Sequence, residues 1–395
     1  MKNKFAIIVG DGMADLPITE LGNKTPLEYA VTPNMDFLAK SGHVGIVSTV
    51  PEGFPPGSDV ANLSLLGYDP ALYYSGRAPV EAASLGIELA AEDTAFRCNL
   101  VTIIDGIMVD YSAGHINTAE ASVLISQLQK ELGSHEIMFH PGTSYRHILV
   151  IKNFPDGLKC TPPHDITDQT VKSYLPQGYG ETQIHELMSK AHQVFQRDCS
   201  PKDCESNIKS HATDIWLWGQ GKTLKLPKIS DRFGITGSVI SAVDLIRGLG
   251  VLAGLQVRVV EGATGYLGTN YSGKVAAAID AFNSEDFVYL HVEAPDETSH
   301  EGNLQKKIQA IEELDKFVVG EMLAYQKQHP ELRILLTPDH ATPVSTKTHS
   351  ADPIPFVVNG PGINPGNCNS YSERAAKGKT VLTGPQLFKH FLRGF

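Results

Sequence analysis

The sequence predicts an α/β protein: a core of mostly parallel strands alternating with helices, interrupted by a smaller α+β segment. Three observations carry that expectation. Short apolar runs at 5–9, 287–292 and 334–336 break off at turn residues, as strands buried on both faces do. Amphipathic stretches of helical length lie between them. From about residue 86 the alternation gives way to short paired strands, with Asp105-Gly106 between 98–104 and 107–111 as a two-residue hairpin signal. At 395 residues two domains are expected: 1–85 with 213–395 as one discontinuous domain, and 86–212 as an inserted α+β domain.

Taken in order, the strand at 5–9 ends in Gly10-Asp11-Gly12-Met13, a sharp turn. Thr32-Pro33 opens a helix over 34–40 with Gly42 just past its end, and 43–50 alternates as a strand. A stiff Pro/Gly loop, 51–59, then places Ser58 where a helix over 60–66 begins. Serine there is most often an N-cap. The sharper reading is a nucleophile, because free backbone N–H groups and the helix dipole favour developing negative charge. In the inserted segment Asn117 caps a helix over 117–132 with Glu120 three residues on. Strands at 137–139 and 146–151 follow, then a helix near 181–196 and an exposed loop at 200–204. Alternation resumes with a strand at 215–218, a helix at 238–249, a strand at 256–260 and a helix at 274–283. The strand at 287–292, a long helix at 304–328, strands at 333–336 and 356–359 and a helix at 386–392 complete the chain. There is no internal repeat.

A net charge of -11 argues against nucleic acid or an anionic membrane as the main partner. No apolar run approaches the roughly 18 residues of a spanning helix. Met1-Lys2-Asn3-Lys4 leads straight into a strand, unlike a secretory signal. Of Cys98, Cys160, Cys199, Cys204 and Cys368 only Cys199 and Cys204 are close, and no second pair completes a zinc knuckle. Reduced thiols in a cytoplasmic protein are the expectation.

The residues with metal chemistry cluster at strand ends. Asp11 follows one apolar run, Asp339-His340 another, and Asp296 and His300 stand four apart after a third, with His349 shortly beyond. Carboxylates and imidazoles without cysteine suit divalent zinc or manganese. Two such ions roughly 4 Å apart clamp an in-line displacement at phosphorus. Each motif by itself is weak; an Asp-x-x-x-His also fits a plain surface helix. Arg97, His115, Arg146, His147 and His164 offer anion contacts in the inserted segment, though taken singly each is more often an ordinary surface or core residue.

Several motifs carry a resemblance. Gly10-Asp11-Gly12-Met13, Pro56-Gly57-Ser58-Asp59-Val60-Ala61-Asn62-Leu63-Ser64, Gly67-Tyr68-Asp69-Pro70, Ala294-Pro295-Asp296-Glu297-Thr298-Ser299-His300-Glu301-Gly302, Thr337-Pro338-Asp339-His340 and His349 resemble the archaeal-type, cofactor-independent phosphoglycerate mutases of the alkaline phosphatase superfamily. The likeness runs over nearly the whole chain. It implies an alkaline-phosphatase-like three-layer core, with the inserted domain covering the substrate. It also implies Ser58 as a phosphorylated nucleophile. Asp11, Ser58, Asp339 and His340 would ligate one metal, and Asp296, His300 and His349 the other. Manganese or zinc is the implied pair, with magnesium a further choice. The implied activity is that of a glycolytic isomerase, and the implied partner a small phosphorylated metabolite bound by a monomer or small homo-oligomer.

One departure stands out. Where the family carries Asp-Arg-Arg-Ala-Gly-Arg, this chain has Asp110-Tyr111-Ser112-Ala113-Gly114-His115, without an arginine. Three fixed cations for phosphate or carboxylate are missing. Arg97, His115, Arg146, Arg232 and Lys274 remain as expected substrate contacts; Asp231-Arg232-Phe233 stands where the family often has a lysine. The alternative is a phosphotransferase or phosphatase on another small metabolite, such as the homoserine kinase proposed for a similar bacterial subgroup.

Overall fold

The computed structural model describes residues 3–198 and 211–395. The expectations for Met1, Lys2, Cys199, Cys204 and the 200–204 loop lie outside the described residues. In chain order the strands are β1 (Lys4–Gly10), β2 (His43–Ser48), β3 (Asp93–Ile104), β4 (Ile107–Asp110), β5 (Ile137–Thr143), β6 (Arg146–Lys152) and β7 (Asp214–Lys222). They continue as β8 (Gly237–Ile240), β9 (Gln256–Val257), β10 (Phe287–Val292), β11 (Leu332–Thr337), β12 (Ile354–Asn359) and β13 (Val381–Thr383).

Contacts divide the chain into one unit of Met1–Tyr74 with Lys225–Phe395 and a second of Ser75–Leu224. The first is built on an eight-stranded sheet in the order β13-β2-β12-β11-β1-β10-β8-β9. β1 lies at its middle, parallel to both β10 and β11, with Val9 opposite His291 on one side and Thr337 on the other. That register brings the ends of three buried strands side by side, which is where ligands gather in open α/β sheets. β12 runs antiparallel to both β11 and β2.

Alternation along β1 sends side chains to both faces. Ala6 and Ile8 pack with Leu38, Val275, Ile311 and Leu323 from the helices Pro33–Ser41, Tyr271–Ala281, Leu304–Leu314 and Gly320–Gln328. Phe5 on the opposite face meets Phe391, and Phe287 meets Phe388, both of helix Gly384–Arg393. Helices therefore cover both faces, giving the three-layer α/β arrangement that the resemblance implies.

The second unit is an antiparallel sheet in the order β4-β3-β6-β5, with β7 on β3. The hairpin at Asp105-Gly106 forms, both residues taking positive φ of 51° and 74°. Helices Thr118–Leu132 and Glu181–Asp198 close a core around Phe96, Leu149, Ile184 and Trp216.

Four expectations need correction. The unit boundaries fall at 74/75 and 224/225, not 85/86 and 212/213. Helix Ala78–Ser84 packs Ala78 and Ala82 against Ala95, Ile148 and Val150, and β7 pairs along β3, so both belong to the second unit. The helix read over 238–249 begins as strand β8, because Val239 and Ile240 pair with β10 in the sheet; the helix proper is Asp244–Leu252. Pairing in the strand read over 256–260 stops at Val257. The helix read over 304–328 carries a π turn at Asp315–Val319. There Asp315 turns its carboxylate onto the start of helix Pro33–Ser41, accepting from Met35 N at 2.7 Å and Asn34 Nδ2 at 2.9 Å.

Candidate metal centre and nucleophile

Asp11 sits in the turn after β1, held there by its own N–H to the Val292 carbonyl at 2.9 Å. Asp339 and His340 follow β11, and Asp296 lies in the first turn of the short helix Ala294–His300 after β10. The parallel register thus converts distant sequence positions into neighbours. The ligating atoms of Asp296, His300 and His349 lie within 4.8 Å of one another, as do those of Asp11, Asp296 and His340, and those of Asp11, His291 and Asp339.

Ser58 is the first residue of helix Ser58–Leu65, whose N-cap is Gly57. The N-cap reading is therefore superseded. The hydroxyl lies instead 3.1 Å from Nε2 of His340, which is 3.5 Å from Asp11 Oδ1. Asp339 is wholly buried and accepts from Gly12 N at 3.1 Å, His340 N at 2.9 Å and Asn62 Nδ2 at 2.7 Å. Asn62 also donates to the Ser58 carbonyl at 2.8 Å, so one amide locks the helix that Ser58 begins to a metal-ligand candidate.

Electrostatics mark the place as built for cations. Asp11 is buried, its Oδ1 has no hydrogen-bond partner, and burial, then the charges of Asp339 and Asp296, raise its carboxyl well above the usual range. Burial also pushes Asp296 upward, but hydrogen bonding to His300, then His349, outweighs it and holds that carboxyl well below the usual range. His300 Nε2 faces Asp296 Oδ2 at 3.0 Å and His349 Nε2 at 3.0 Å. Its Nδ1 is 2.9 Å from the Lys347 carbonyl, which can only accept, so Nδ1 donates and Nε2 is turned to the cluster. Three clustered carboxylates, inward imidazoles and an orphaned buried oxygen fit divalent cations.

The structure adds residues that the sequence reading missed. His291, wholly buried on β10, places Nε2 3.3 Å from Asp11 Oδ2 and Nδ1 3.4 Å from Glu293 Oε1. Burial lowers its affinity for a proton, but Asp11 and Glu293 more than reverse this and raise the pKa to about 10. The available signal was its place at the end of an apolar run, like Asp11. Thr342, two residues after His340, donates to Asp296 Oδ1 at 2.6 Å.

The expected substrate contacts divide. Lys274 is wholly buried, with its ammonium bonded to Glu293 Oε2 at 2.6 Å and to the His291 carbonyl at 3.0 Å. Arg232 on helix Ile229–Phe233 bonds the Gly67 carbonyl at 2.8 Å and lies 4.6 Å over the Tyr68 ring, outside the ligand groups. In the second unit Arg97 is buried, 3.0 Å from Glu81 and stacked 4.5 Å over Trp218. Burial outweighs Glu81 and brings its pKa down to about 10. Arg146 is exposed beside Tyr145, whose ring also lies 6.3 Å from His115. His147 is buried and His164 lies 5.4 Å from Trp218. In the arginine-free segment Asp110 binds its own turn, accepting from Ser112 N at 2.7 Å and Gly114 N at 2.8 Å.

A family model described as 2,3-bisphosphoglycerate-independent phosphoglycerate mutase matches residues 39–199. A probable 2,3-bisphosphoglycerate-independent phosphoglycerate mutase of Geobacter sulfurreducens is 48% identical, over 98% of this chain and 99% of its own. The Methanosarcina mazei protein of that name is 52% identical, over 90% of each chain. Among solved structures, a Pyrococcus horikoshii protein superposes with a TM-score of 0.80 at 28% identity, covering 100% of this chain and 98% of that one. The cofactor-independent phosphoglycerate mutase of Thermoplasma acidophilum does so with 0.66 at 25% identity, covering 99% of each. With close to half of all positions shared along the full length of a relative, the chain belongs to the family of 2,3-bisphosphoglycerate-independent phosphoglycerate mutases.

Proposed function

We propose that the protein interconverts 3-phosphoglycerate and 2-phosphoglycerate through a phosphorylated Ser58, with no 2,3-bisphosphoglycerate. The observation that carries this reading is the Ser58 hydroxyl at 3.1 Å from His340 Nε2, inside the convergence of Asp11, Asp296 and Asp339. Asp11, Ser58, Asp339 and His340 are assigned to one divalent ion, and Asp296, His300 and His349 to the other. Manganese or zinc suits this donor set better than magnesium, since imidazoles contribute. When bound, the ions neutralise the carboxylates and make the serine hydroxyl more acidic.

Ser58 Oγ forms a bond to phosphorus as the bond to the 3-oxygen of the substrate breaks, leaving glycerate and phosphoserine. The 2-oxygen of glycerate then takes the group back and frees Oγ. Neither water nor a second substrate is consumed. Arg97, Arg146 and His115 are assigned as contacts to the anionic groups of the substrate. A cytoplasmic location accords with a small phosphorylated substrate; no helix among the described residues is long and apolar enough to cross a membrane.

A second reading, phosphoryl transfer to another small metabolite such as homoserine, is favoured by one observation: residues 110–115 carry no arginine and Asp110 is used on its own turn. Purified protein with manganese and 3-phosphoglycerate is expected to form 2-phosphoglycerate with no bisphosphoglycerate added. No turnover there, with phosphorylation of homoserine from an added phosphoryl donor, would replace the first reading by the second.

A further inference from the structure

Thr342 is wholly buried, and its hydroxyl oxygen lies between two of the ligand groups, 2.6 Å from Asp296 Oδ1 and 3.1 Å from His340 Nδ1. A hydroxyl has one proton to give, and a carboxylate can only accept. The proton therefore goes to Asp296, and the bond to His340 has to be donated by Nδ1–H. That fixes the tautomer: Nε2 of His340 is left bare, aimed at Ser58 Oγ and Asp11 Oδ1 at 3.1 and 3.5 Å. At His300 a backbone carbonyl sets the tautomer. A carbonyl cannot also donate, so it could not tie a second ligand in as the hydroxyl does.

The hydroxyl is held in place from behind. Thr342 N donates to the Ala14 carbonyl at 3.1 Å, and its own carbonyl accepts from Lys307 Nζ at 2.9 Å. Lys307 is wholly buried and binds Ala14 O at 3.2 Å and Asp15 Oδ2 at 2.8 Å; Asp15 in turn accepts from Val344 N at 3.1 Å. One ammonium thus fastens the loop that follows Asp11 to the loop that follows His340. A Cβ added at Gly12 would lie 2.6 Å from the Thr342 hydroxyl, so there is little room for it to swing away.

We infer that Thr342 is a positioning residue that joins the two metal-ligand groups, sending its one proton to Asp296 and so holding His340 in the tautomer that presents Nε2. The inference rests on the two-metal reading above, and its test separates the two.

The variants are Thr342→Val, which keeps the shape and removes the hydroxyl, and Thr342→Ser, which restores it. Nitrogen-15 resonances of His340 in metal-free wild type and Thr342→Ser should show a protonated Nδ1 and a bare Nε2; Thr342→Val should lose that state while its circular dichroism stays unchanged. Manganese titration should show both ions bound about 10- to 100-fold more weakly by Thr342→Val, the usual cost of removing a partner behind a ligand, and within about threefold of wild type by Thr342→Ser. Unchanged affinity at either site in Thr342→Val, equal losses in the Val and Ser variants, or an Nε2-protonated His340 in the wild type would overturn the inference. If the wild type takes up no manganese, the two-metal reading falls, and the tautomer then decides Thr342 by itself: Nδ1–H upholds the role and Nε2–H ends it. Should the Val variant fail to fold, the Ser variant and the wild-type tautomer decide in the same way.

Discussion

The Ser58 hydroxyl lies 3.1 Å from His340 Nε2, although 282 positions separate the two residues. The contact sets the proposed nucleophile among the ligand candidates without making it necessary to their assembly, since seven Asp and His side chains converge independently of it. Ser58→Ala should lower phosphoryl transfer by at least about 1000-fold while manganese uptake per chain persists. Activity within tenfold of wild type would end the nucleophile assignment.

Lys274 and Glu293 form a buried ion pair at 2.6 Å, both essentially inaccessible to water. Removing one partner leaves an uncompensated buried charge, so Lys274→Met should cost about 3–5 kcal/mol in urea unfolding. Lys274→Met combined with Glu293→Gln should recover part of that loss. Were Lys274 a substrate contact, KM would rise instead with stability intact.

Metal removal gives opposite signs for two proteins. In chelator, Asp11 is a carboxylate whose own burial, then the charges of Asp339 and Asp296, raise its pKa. Asp11→Asn should therefore melt no lower than wild type without metal. Manganese at 100 times its dissociation constant should add about 2.7 kcal/mol per ion to the wild type and clearly less to Asp11→Asn. Scanning calorimetry with and without chelator checks both.

Burial, then the charges of Arg146 and Arg97, lowers the pKa of His147 to about 3, against roughly 6.5 in an unfolded chain. Between those values the unfolded state binds the extra proton. The contribution of this residue is thus complete above roughly pH 6.5 and is lost as pH falls toward 3, with a slope of up to about 1.4 kcal/mol per pH unit. His147→Gln should flatten the stability profile across that window; an unchanged slope would mean that His147 is not buried neutral.

The first-rank ligand candidates were legible because each stands at or just past the end of an apolar run, where β10, β1 and β11 deliver Asp296, Asp11 and Asp339 to one edge. What supports them was not. Asn62 reads as one polar residue in a helix, and only the fold reveals that it meets Asp339, 277 positions on. From the sequence Lys274 reads as a substrate contact and Lys307 as a solvated helix position, since charge pattern along a sequence carries no sign of burial. In the run over 238–249 the polar residues Ser238, Ser241, Asp244 and Arg247 recur every third position, which suits a helix throughout, so periodicity could not separate β8 from the helix after it. The affiliation of β7 depends on pairing with β3, more than 100 residues upstream, which no local pattern encodes.

The central claim is that Ser58 Oγ carries the phosphoryl group between the two oxygens of glycerate. The most direct measurement is rapid acid quenching of the manganese-loaded protein during turnover of 3-phosphoglycerate, followed by peptide mass spectrometry. The account predicts phosphate on Ser58, absent before substrate is added and absent from the Ser58→Ala protein. Full turnover with Ser58 unmodified at every quench time, or with phosphate on another residue, would contradict it.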